Sequence, residues 1–279
     1  MATDVTSGQA EPESLSDQVK RQMNKPLIHQ SWETTYRTEG NERFFEQAYD
    51  YIVDKLKQPK DSLALDIGCG IGANSVRLAK RGYRVVGGDY SESILGPANE
   101  NIAKKGVADR IQIQREDILN LSFPDNHFDL VLCWGVLMHI PAAERAIQQL
   151  TRVAKPGGYI VFEEINESSP EGYFMRAYWK LLKGKSIKAE KKPSGIEHQS
   201  QFGGETLFWR HANRKWLINE LASHSCKFVG SGSGMCTDMY MYLPGKPLQS
   251  LSHAWNRFWL KRVNVEKLAY HNILIFQKS

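Results

Sequence analysis

The hydrophobic and polar positions of the chain follow a helical period first, and only later alternate between strand and helix. Residues 42–57 place apolar side chains at helical spacing, which predicts an amphipathic helix. Residues 26–40 are short, aromatic and irregular, and residues 1–25 are polar enough to predict a disordered tail. The N-terminal part of the chain is therefore distinct from the regular pattern that begins near residue 61.

From Ser62 onward, short apolar segments alternate with helical patterns. The predicted strands are 63–67, 84–88, 111–115, 128–134 and 159–163. Ser91 can cap the helix after the second strand, and the Pro-Gly-Gly run at 156–158 stops the helix before the fifth. Strands that alternate with helices form a parallel sheet with helices on both of its faces.

Beyond Ile165 the alternation is interrupted twice. Residues 166–206 are long and basic, and residues 231–270 are rich in aromatic side chains, so both are predicted to be insertions. Between and after them, 213–224 has a helical pattern, and 227–230 and 272–277 have strand patterns. We predict an α/β fold over 61–279, with a doubly wound, mostly parallel seven-stranded sheet.

Composition narrows the class of protein. A hydrophobic fraction of 41% with 24% charged residues is typical of a folded globule. The longest near-apolar run, 130–140, is too short for a membrane span, and the polar start is neither a signal nor a transit peptide. The four cysteines form no CxxC pair, which predicts buried thiols, a cytoplasmic protein and no metal. Nothing in the pattern indicates an oligomeric state.

The net charge of +5 is concentrated in one segment. Residues 176–192 contain seven basic side chains against Glu190 alone. Such a basic arm is a weak signal for nucleic acid, and a solvated loop or a lure for an acidic substrate explains it better. A nucleic-acid partner is therefore disfavoured.

The residues that predict chemistry lie at successive strand ends. The turn Gly68-Cys69-Gly70-Ile71-Gly72 lets the backbone approach a ligand closely, although it also fits a dinucleotide pattern. Asp66 precedes the turn and could orient it or meet an ammonium group. Asp89 could accept both hydroxyls of a ribose, and Asp117 the amino group of an adenine. Three such carboxylates suit a nucleoside that bears a cation and no phosphate.

At this point the chain resembles the class I S-adenosylmethionine-dependent methyltransferases. The matching segments, in the family's order, are LDIGCGIG (65–72), Asp89 with Tyr90, EDI (116–118), FDLVLCWGVLMHI (128–140) and KPGG (155–158). The resemblance implies S-adenosylmethionine as cofactor, with Gly68 and Gly70 at its methionyl end and Asp89 and Tyr90 at the ribose. It also implies Asp117 and Ile118 at the adenine, and Cys133 and Trp134 beside the sulfonium.

His139 is the leading candidate for a catalytic base, because it follows the fourth strand at the edge where this fold binds ligands. It could instead only satisfy loop carbonyls. Glu163 and Glu164 are alternatives, and strand alternation sends them to opposite faces. Three further residues could reach the site only from the insertions, namely His198, His211 and Asp238.

The methyl acceptor is predicted to be a small molecule, handled without metal, with O-methylation favoured over N or C. The chain has Cys133-Trp134-Gly135-Val136 where enzymes acting on adenine amino groups have a Pro-Pro turn and catechol-type members have Asp. An apolar pocket or lid is indicated by aromatic residues outside the strands, namely Trp32, Tyr36, Phe44, Trp179, Phe208, Trp209, Trp255, Phe258 and Trp259. The alternatives are an RNA or protein methyltransferase, a nicotinamide oxidoreductase and a non-catalytic cofactor-binding subunit.

The segment 26–40 is predicted to be a lid over the cofactor. Trp32 and Tyr36 are four residues apart and would share one face of a helical turn. Tyr36 or Arg37 could then reach the methionyl carboxylate. A static strap packed on the sheet is the alternative.

Overall fold

A central sheet of seven strands organises the protein, whose computed structural model describes residues 14–182, 187–202 and 204–279. In spatial order, the strands are β3 (Ile111–Arg115), β2 (Arg84–Asp89), β1 (Leu63–Ile67), β4 (Phe128–Trp134), β5 (Ala154–Ile165), β10 (His271–Lys278) and β9 (Cys226–Ser233). The first five are parallel, and β10 is antiparallel to both neighbours. Strand order reverses between β1 and β4, which is where an open α/β sheet binds its ligand.

Helices cover both faces of this sheet, as the alternation predicts. One face packs against α6 (Ala143–Val153) and α8 (Arg214–Ser223), and the other against α3 (Glu39–Leu56) and α4 (Ala73–Lys80). Helix α5 (Glu92–Lys104) contacts β2 and β3. Neighbouring residues of one strand join different core clusters, which is the signature of a strand buried on both faces. The doubly wound, mostly parallel fold is confirmed.

The N-terminal segment is more ordered than its polarity predicts. Residues Leu15–Met23 form α1, capped by Ser14, whose side chain accepts a hydrogen bond from the Asp17 N–H. The prediction of a disordered tail is therefore wrong for this helix, and residues 1–13 lie outside the described part. Residues Pro26–Tyr36 form α2, where the sequence indicated irregular structure. Burial against the rest of the protein stabilises both helices more than their own propensity does.

The first insertion forms a small domain-like layer. After α7 (Pro170–Leu182), the strands β6 (Lys188–Lys192), β7 (Gly195–Phe202) and β8 (Glu205–Ala212) form an antiparallel sheet in that order. The sequence did not predict this sheet, because its strands are mostly polar and lack the apolar alternation of a half-buried strand. The second insertion carries α9 (Lys246–Phe258). Among the described residues, no helix has both the length and the apolar character needed to cross a bilayer.

Candidate active site

The glycine-rich turn after β1 is held against β2 and is open above Gly70. The N–H groups of Gly68 and Cys69 donate to the Gly88 carbonyl, at 2.7 and 3.1 Å. Gly68 has φ +71°, and a Cβ there would lie 2.4 Å from the Val136 side chain, so only glycine fits. Gly70 has φ +53°, and a Cβ there would meet no atom within 4 Å. A ligand can therefore lie directly on the backbone at Gly70.

Asp89 connects this turn to the end of β2. Its Oδ2 accepts a hydrogen bond from the Gly70 N–H and its Oδ1 one from the Ser91 N–H, both at 2.9 Å. Burial raises the pKa of the Asp89 carboxyl, and these two hydrogen bonds oppose the shift. Each carboxylate oxygen keeps further lone-pair capacity, so Asp89 can accept the two hydroxyls of a ribose while it holds the turn.

Asp66 lies under the turn. Its carboxyl is almost fully buried, with 1% of the residue exposed, and Oδ2 accepts a hydrogen bond from the Ser75 hydroxyl at 2.6 Å. Burial raises the pKa of Asp66 to about 6, against the opposing hydrogen bond from Ser75. The side chain thus anchors the first turn of α4, and an ammonium group nearby would stabilise its charged form.

Asp117 is already paired in this structure. Lys20 of α1 places its Nζ 2.5 Å from Asp117 Oδ2 and 5.2 Å from the centre of the Tyr90 ring. Asp117 Oδ1 accepts the Leu119 N–H at 2.9 Å, and the Ile118 side chain is buried next to it. The predicted adenine end is therefore covered by α1, a contact that sequence reasoning missed. The capping pattern of Ser14 and Asp17 was the available signal.

The space between α1 and the ends of β2 and β3 is small. A cavity of about 50 Å³ is lined by residues that include Val19, Met23, Tyr90 and Ile118. An engineered cavity of about 150 Å³ holds a benzene ring. With α1 in this position the space beside Asp117 is smaller than that, whereas the Gly70 backbone is open and Asp89 keeps acceptor capacity.

The two candidate residues at the end of β4, Cys133 and Trp134, point to opposite faces of the sheet. The Cys133 side chain is fully buried in the core cluster on the α6 face, so only its main chain borders the site. Trp134 faces α3, with its ring 5.2 Å from Tyr49 and 6.0 Å from Phe45, between centroids. That Cys133 lies beside the sulfonium stays a prediction, and it rests on the main chain, because strand alternation directs the side chain into the core.

His139 lies on the loop after β4 and is held by the second sheet. Its Nδ1 donates to the Phe208 carbonyl at 2.9 Å, and its ring centre is 5.3 Å from that of Trp32 in α2. Burial lowers the pKa of His139, which keeps the imidazole neutral. In the described residues no group hydrogen-bonds Nε2, so this nitrogen carries an available lone pair.

Arg210 of β8 fixes the same loop and was missed by sequence reasoning. Its guanidinium donates to the carbonyls of Leu137, Ile140 and Pro141 at 3.1–3.3 Å. Glu197 pairs with it at 2.9 Å, so the buried charge is compensated. An arginine directly after three apolar residues, at 207–209, was the only signal in the sequence, and its partners are distant along the chain.

A second ionisable cluster lies at the ends of β5 and β10. His271 places Nδ1 2.5 Å from Glu163 Oε1 and Nε2 3.1 Å from Asp238 Oδ2. Burial disfavours the charged imidazole, but the two carboxylates outweigh it and raise the pKa of His271 well above its usual range. Burial and then the charge of Asp238 raise the pKa of the Tyr36 phenol. No motif or spacing in the sequence indicated His271.

The other candidate residues lie in β5, in the second sheet and at the end of α2. Glu164 points to the opposite face from Glu163, as predicted, and burial raises its pKa well above the ordinary value. His198 and His211 pair with each other in the second sheet, with ring centres 4.6 Å apart. Arg37 pairs with Glu33 at 3.0 Å and Glu42 at 3.7 Å.

The aromatic candidates do not converge on one pocket. Phe44 and Phe208 are buried, whereas Trp255 and Phe258 are exposed. The side chain of Trp179 lies outside the described part. In the ranges 14–182, 187–202 and 204–279, no three His, Cys, Asp or Glu side chains are arranged to hold a metal ion.

Comparison with known proteins agrees with this geometry. A family model described as a methyltransferase domain matches residues 65–162. The ubiquinone biosynthesis O-methyltransferase of Coxiella burnetii is 32% identical over 167 residues, which cover 59% of this chain and 68% of that protein. The demethylmenaquinone methyltransferase of Desulfitobacterium hafniense is 36% identical over 120 residues, 41% of this chain and 46% of that protein.

A solved structure shows the same fold over nearly the whole chain. The magnesium protoporphyrin IX methyltransferase of Synechocystis PCC 6803, with bound SAH, superposes with a TM-score of 0.62 at 18% identity. The match covers 94% of this chain and 98% of that one. At this identity the structural likeness shows the fold alone, whereas the family model and the relative from Coxiella burnetii show the family. The chain belongs to the class I S-adenosylmethionine-dependent methyltransferases, and its cofactor is S-adenosylmethionine.

Proposed function

We propose that the protein transfers the methyl group of S-adenosylmethionine to an oxygen atom of a small, partly apolar or aromatic metabolite. The observation that carries this proposal is His139, a partly buried, neutral imidazole with an available Nε2, on the loop that packs against Gly68. A hydroxyl acceptor has to lose a proton during transfer, and a base positioned at the site accelerates that loss.

The cofactor is proposed to bind along the ends of β1, β2, β3 and β4. When bound, it supplies an electrophilic methyl group. Asp89 accepts the ribose hydroxyls, Asp66 favours the ammonium group, and Asp117 accepts the adenine amino group once Lys20 has released it. The full proposed set is Tyr36, Asp66, Gly68, Gly70, Asp89, Tyr90, Asp117, Ile118, Trp134 and the main chain of Cys133.

His139 is a better candidate for the base than His271. Both ring nitrogens of His271 face carboxylates, and its raised pKa keeps it protonated, so it has no lone pair for an incoming proton. We assign His271 a positioning role instead, because it holds Glu163 beside Gly135 at the end of β4. Arg210 has the corresponding positioning role for the loop of His139.

An apolar acceptor is supported by the aromatic walls on this side of the sheet. Trp32 lies against His139, and Trp134 packs with two aromatic rings of α3. The names of the similar proteins from Coxiella burnetii and Desulfitobacterium hafniense also describe methylation in ubiquinone biosynthesis and of demethylmenaquinone, both small molecules.

The test is a search for the labelled product. The protein is incubated with methyl-labelled S-adenosylmethionine and, in parallel, with metabolite, RNA and protein fractions, and the products are analysed by mass spectrometry. We expect label in a small molecule, on oxygen, and none with an Asp89→Ala control. Label that appears only in RNA or protein, or only on nitrogen or carbon, contradicts the proposal.

A further inference from the structure

Helix α9 has its apolar side chains on the outside. Its buried residues are Ser252, His253 and Asn256. Its exposed stripe, at spacings of three and four residues, consists of Leu248, Leu251, Trp255 and Phe258, and Leu251 is 68% exposed. A surface helix of a globular protein normally has the reverse arrangement, with the apolar stripe toward the core.

Specific polar contacts fix this orientation. Asn256 accepts from the Thr237 N–H at 3.0 Å and donates to the Thr237 carbonyl at 2.9 Å. The ring of His253 lies 4.5 Å from that of Tyr240, between centroids. Rotating α9 to bury its apolar stripe would break these contacts, so the stripe is held outward by the fold.

Helix α7 presents a second stripe of the same kind. Met175 faces inward, whereas the exposed residues are Tyr173, Phe174, Tyr178 and Leu181, the last of them 82% exposed. The start of α7 is joined to the chain that precedes α9, because Glu171 Oε1 accepts the Asp238 N–H at 2.9 Å. Tyr242, also exposed, follows that junction.

Both stripes lie in segments without acidic residues. Residues 172–189 contain five Lys or Arg and no Asp or Glu, and residues 239–265 contain four and none. The whole chain has 36 basic and 31 acidic residues, so the rest of the chain is net acidic. Along the chain, positive charge is therefore concentrated in the two segments that carry the exposed apolar residues.

We propose that α7 and α9 together dock the protein on an anionic lipid bilayer. The docking face consists of Tyr173, Phe174, Tyr178, Leu181, Tyr242, Leu248, Leu251, Trp255 and Phe258. Aromatic and aliphatic side chains beside lysine and arginine suit the boundary between acyl chains and anionic headgroups. A symmetric dimer through this face would bring the same positive charges together, which disfavours a second copy as the occupant.

Docking would hold the acceptor side of the sheet near the lipid. The buried face of α9 contacts Tyr240 and Thr237, which flank Asp238 in the cluster with His271. The inference concerns binding alone and is measured without methyl transfer, so it stands or falls independently of the proposed function.

The experiment measures partition of the full-length protein onto vesicles by co-sedimentation. One set of vesicles is phosphatidylcholine alone, and the other contains about one-third phosphatidylserine. We expect strong binding to the anionic vesicles that weakens as salt rises, and much weaker binding to the neutral ones. Each basic residue near the surface is worth about 1 kcal/mol. The double variant Lys261→Gln/Arg262→Gln should therefore bind about 30-fold less well to the anionic vesicles.

A second pair of variants tests the apolar stripe. Leu251→Gln/Phe258→Gln removes two exposed side chains, and we expect at least a tenfold loss of vesicle binding. Val229→Gln, at an exposed apolar residue of the edge strand β9, is the matched control and should bind as the unchanged protein does. Unchanged binding of S-adenosylhomocysteine shows that each variant is folded.

Three outcomes would overturn the proposal. The first is equal binding to neutral and anionic vesicles, or none to either. The second is a dimer in solution that the Leu251→Gln/Phe258→Gln variant dissociates. The third is salt-sensitive binding to RNA that the Lys261→Gln/Arg262→Gln variant abolishes while vesicle binding is unchanged.

Discussion

The two halves of the proposed active site are built in different ways. The cofactor half lies at the ends of β1, β2 and β3, and all its acidic groups come from residues 66–117. The acceptor half lies at the ends of β4, β5 and β10, and combines Trp32, His139, Glu163, Asp238 and His271 from most of the chain. Residues that lie close together in the sequence form motifs, so the cofactor half can be predicted from sequence. The acceptor half combines residues from distant segments and cannot be predicted in this way.

The halves also differ in their electrostatics. In the cofactor half, Asp66 and Asp89 accept hydrogen bonds from a hydroxyl and from main-chain N–H groups, and Asp117 pairs with Lys20. In the acceptor half, the pKa values of two histidines, the partly buried His139 and the buried His271, are shifted in opposite directions. His139 has no carboxylate beside it, so burial lowers its pKa, whereas Glu163 and Asp238 outweigh burial and raise that of His271. One fold thereby keeps one imidazole neutral and the other charged.

The largest effect is expected at His139. His139→Ala should lower turnover about 10²–10⁴-fold, the usual contribution of a general base, without changing the Kd for S-adenosylmethionine. The rate of the unchanged protein should rise with pH through a midpoint below 6.5, because the lowered pKa leaves the base charged only in acid. Steady-state kinetics across pH measures both, with His224→Ala as the control. A weakened cofactor affinity with normal turnover would mean that His139 belongs to the cofactor half and is not the base.

Asp89→Ala should affect cofactor affinity instead. Losing the hydrogen bonds from two hydroxyls to a charged acceptor costs on the order of 2–4 kcal/mol, so the Kd should rise about 30- to 1,000-fold. Titration calorimetry with S-adenosylhomocysteine measures this loss, and exposed Asp125→Asn serves as the control. An unchanged Kd in the folded variant would remove Asp89 from the cofactor half.

Asp66 should make stability depend on pH. Its pKa is raised from 3.8 to about 6, so its stabilising contribution is complete below pH 3.8 and is lost as pH rises through about 6. The loss is at most about 3 kcal/mol, from about 1.4 kcal/mol per pKa unit. Denaturant unfolding should show the stability of the unchanged protein falling relative to Asp66→Asn over this range. The exposed Asp109→Asn should run parallel to the unchanged protein, and a constant difference for Asp66→Asn would contradict the buried carboxyl.

Lys20→Ala should slightly raise the affinity for the cofactor, in contrast to Asp89→Ala, which lowers it. Removing the ion pair frees Asp117 for the adenine amino group, so affinity for S-adenosylmethionine should rise about two- to fivefold, as expected for a partly exposed pair. Lys25→Ala, which breaks only the pair with Glu205, is the matched control. A lower affinity in Lys20→Ala would mean that α1 belongs to the cofactor-bound form.

The lid hypothesis for residues 26–40 concerns dynamics and is measured by hydrogen exchange. Amides of α2 should be poorly protected in the free protein and gain protection when S-adenosylhomocysteine binds, because Trp32 lies against the proposed base His139. The core helix α6 should be equally protected in both states. Equal protection of α2 in both states would identify it as a static strap.

The sequence by itself determined the cofactor half. Order along the chain places Asp66, the glycine turn, Asp89 and Asp117 at consecutive carboxyl ends of a parallel sheet, and strand pairing then brings them to one edge. The alternation of apolar strands and amphipathic helices likewise determined the class of fold, because both signals are periodic and local. The sequence motif did not predict that the Cys133 side chain is buried in the core, where strand alternation directs it.

Tertiary structure alone decided the acceptor half and the outer surface. His271 meets Glu163 because antiparallel β10 inserts next to β5, and Arg210 meets the His139 loop through a sheet of polar strands. Lys20 reaches Asp117 across 97 positions of sequence. These contacts join residues whose spacing carries no period, and their energy comes from burial and charge pairing in the folded state. Local sequence patterns therefore cannot predict these contacts.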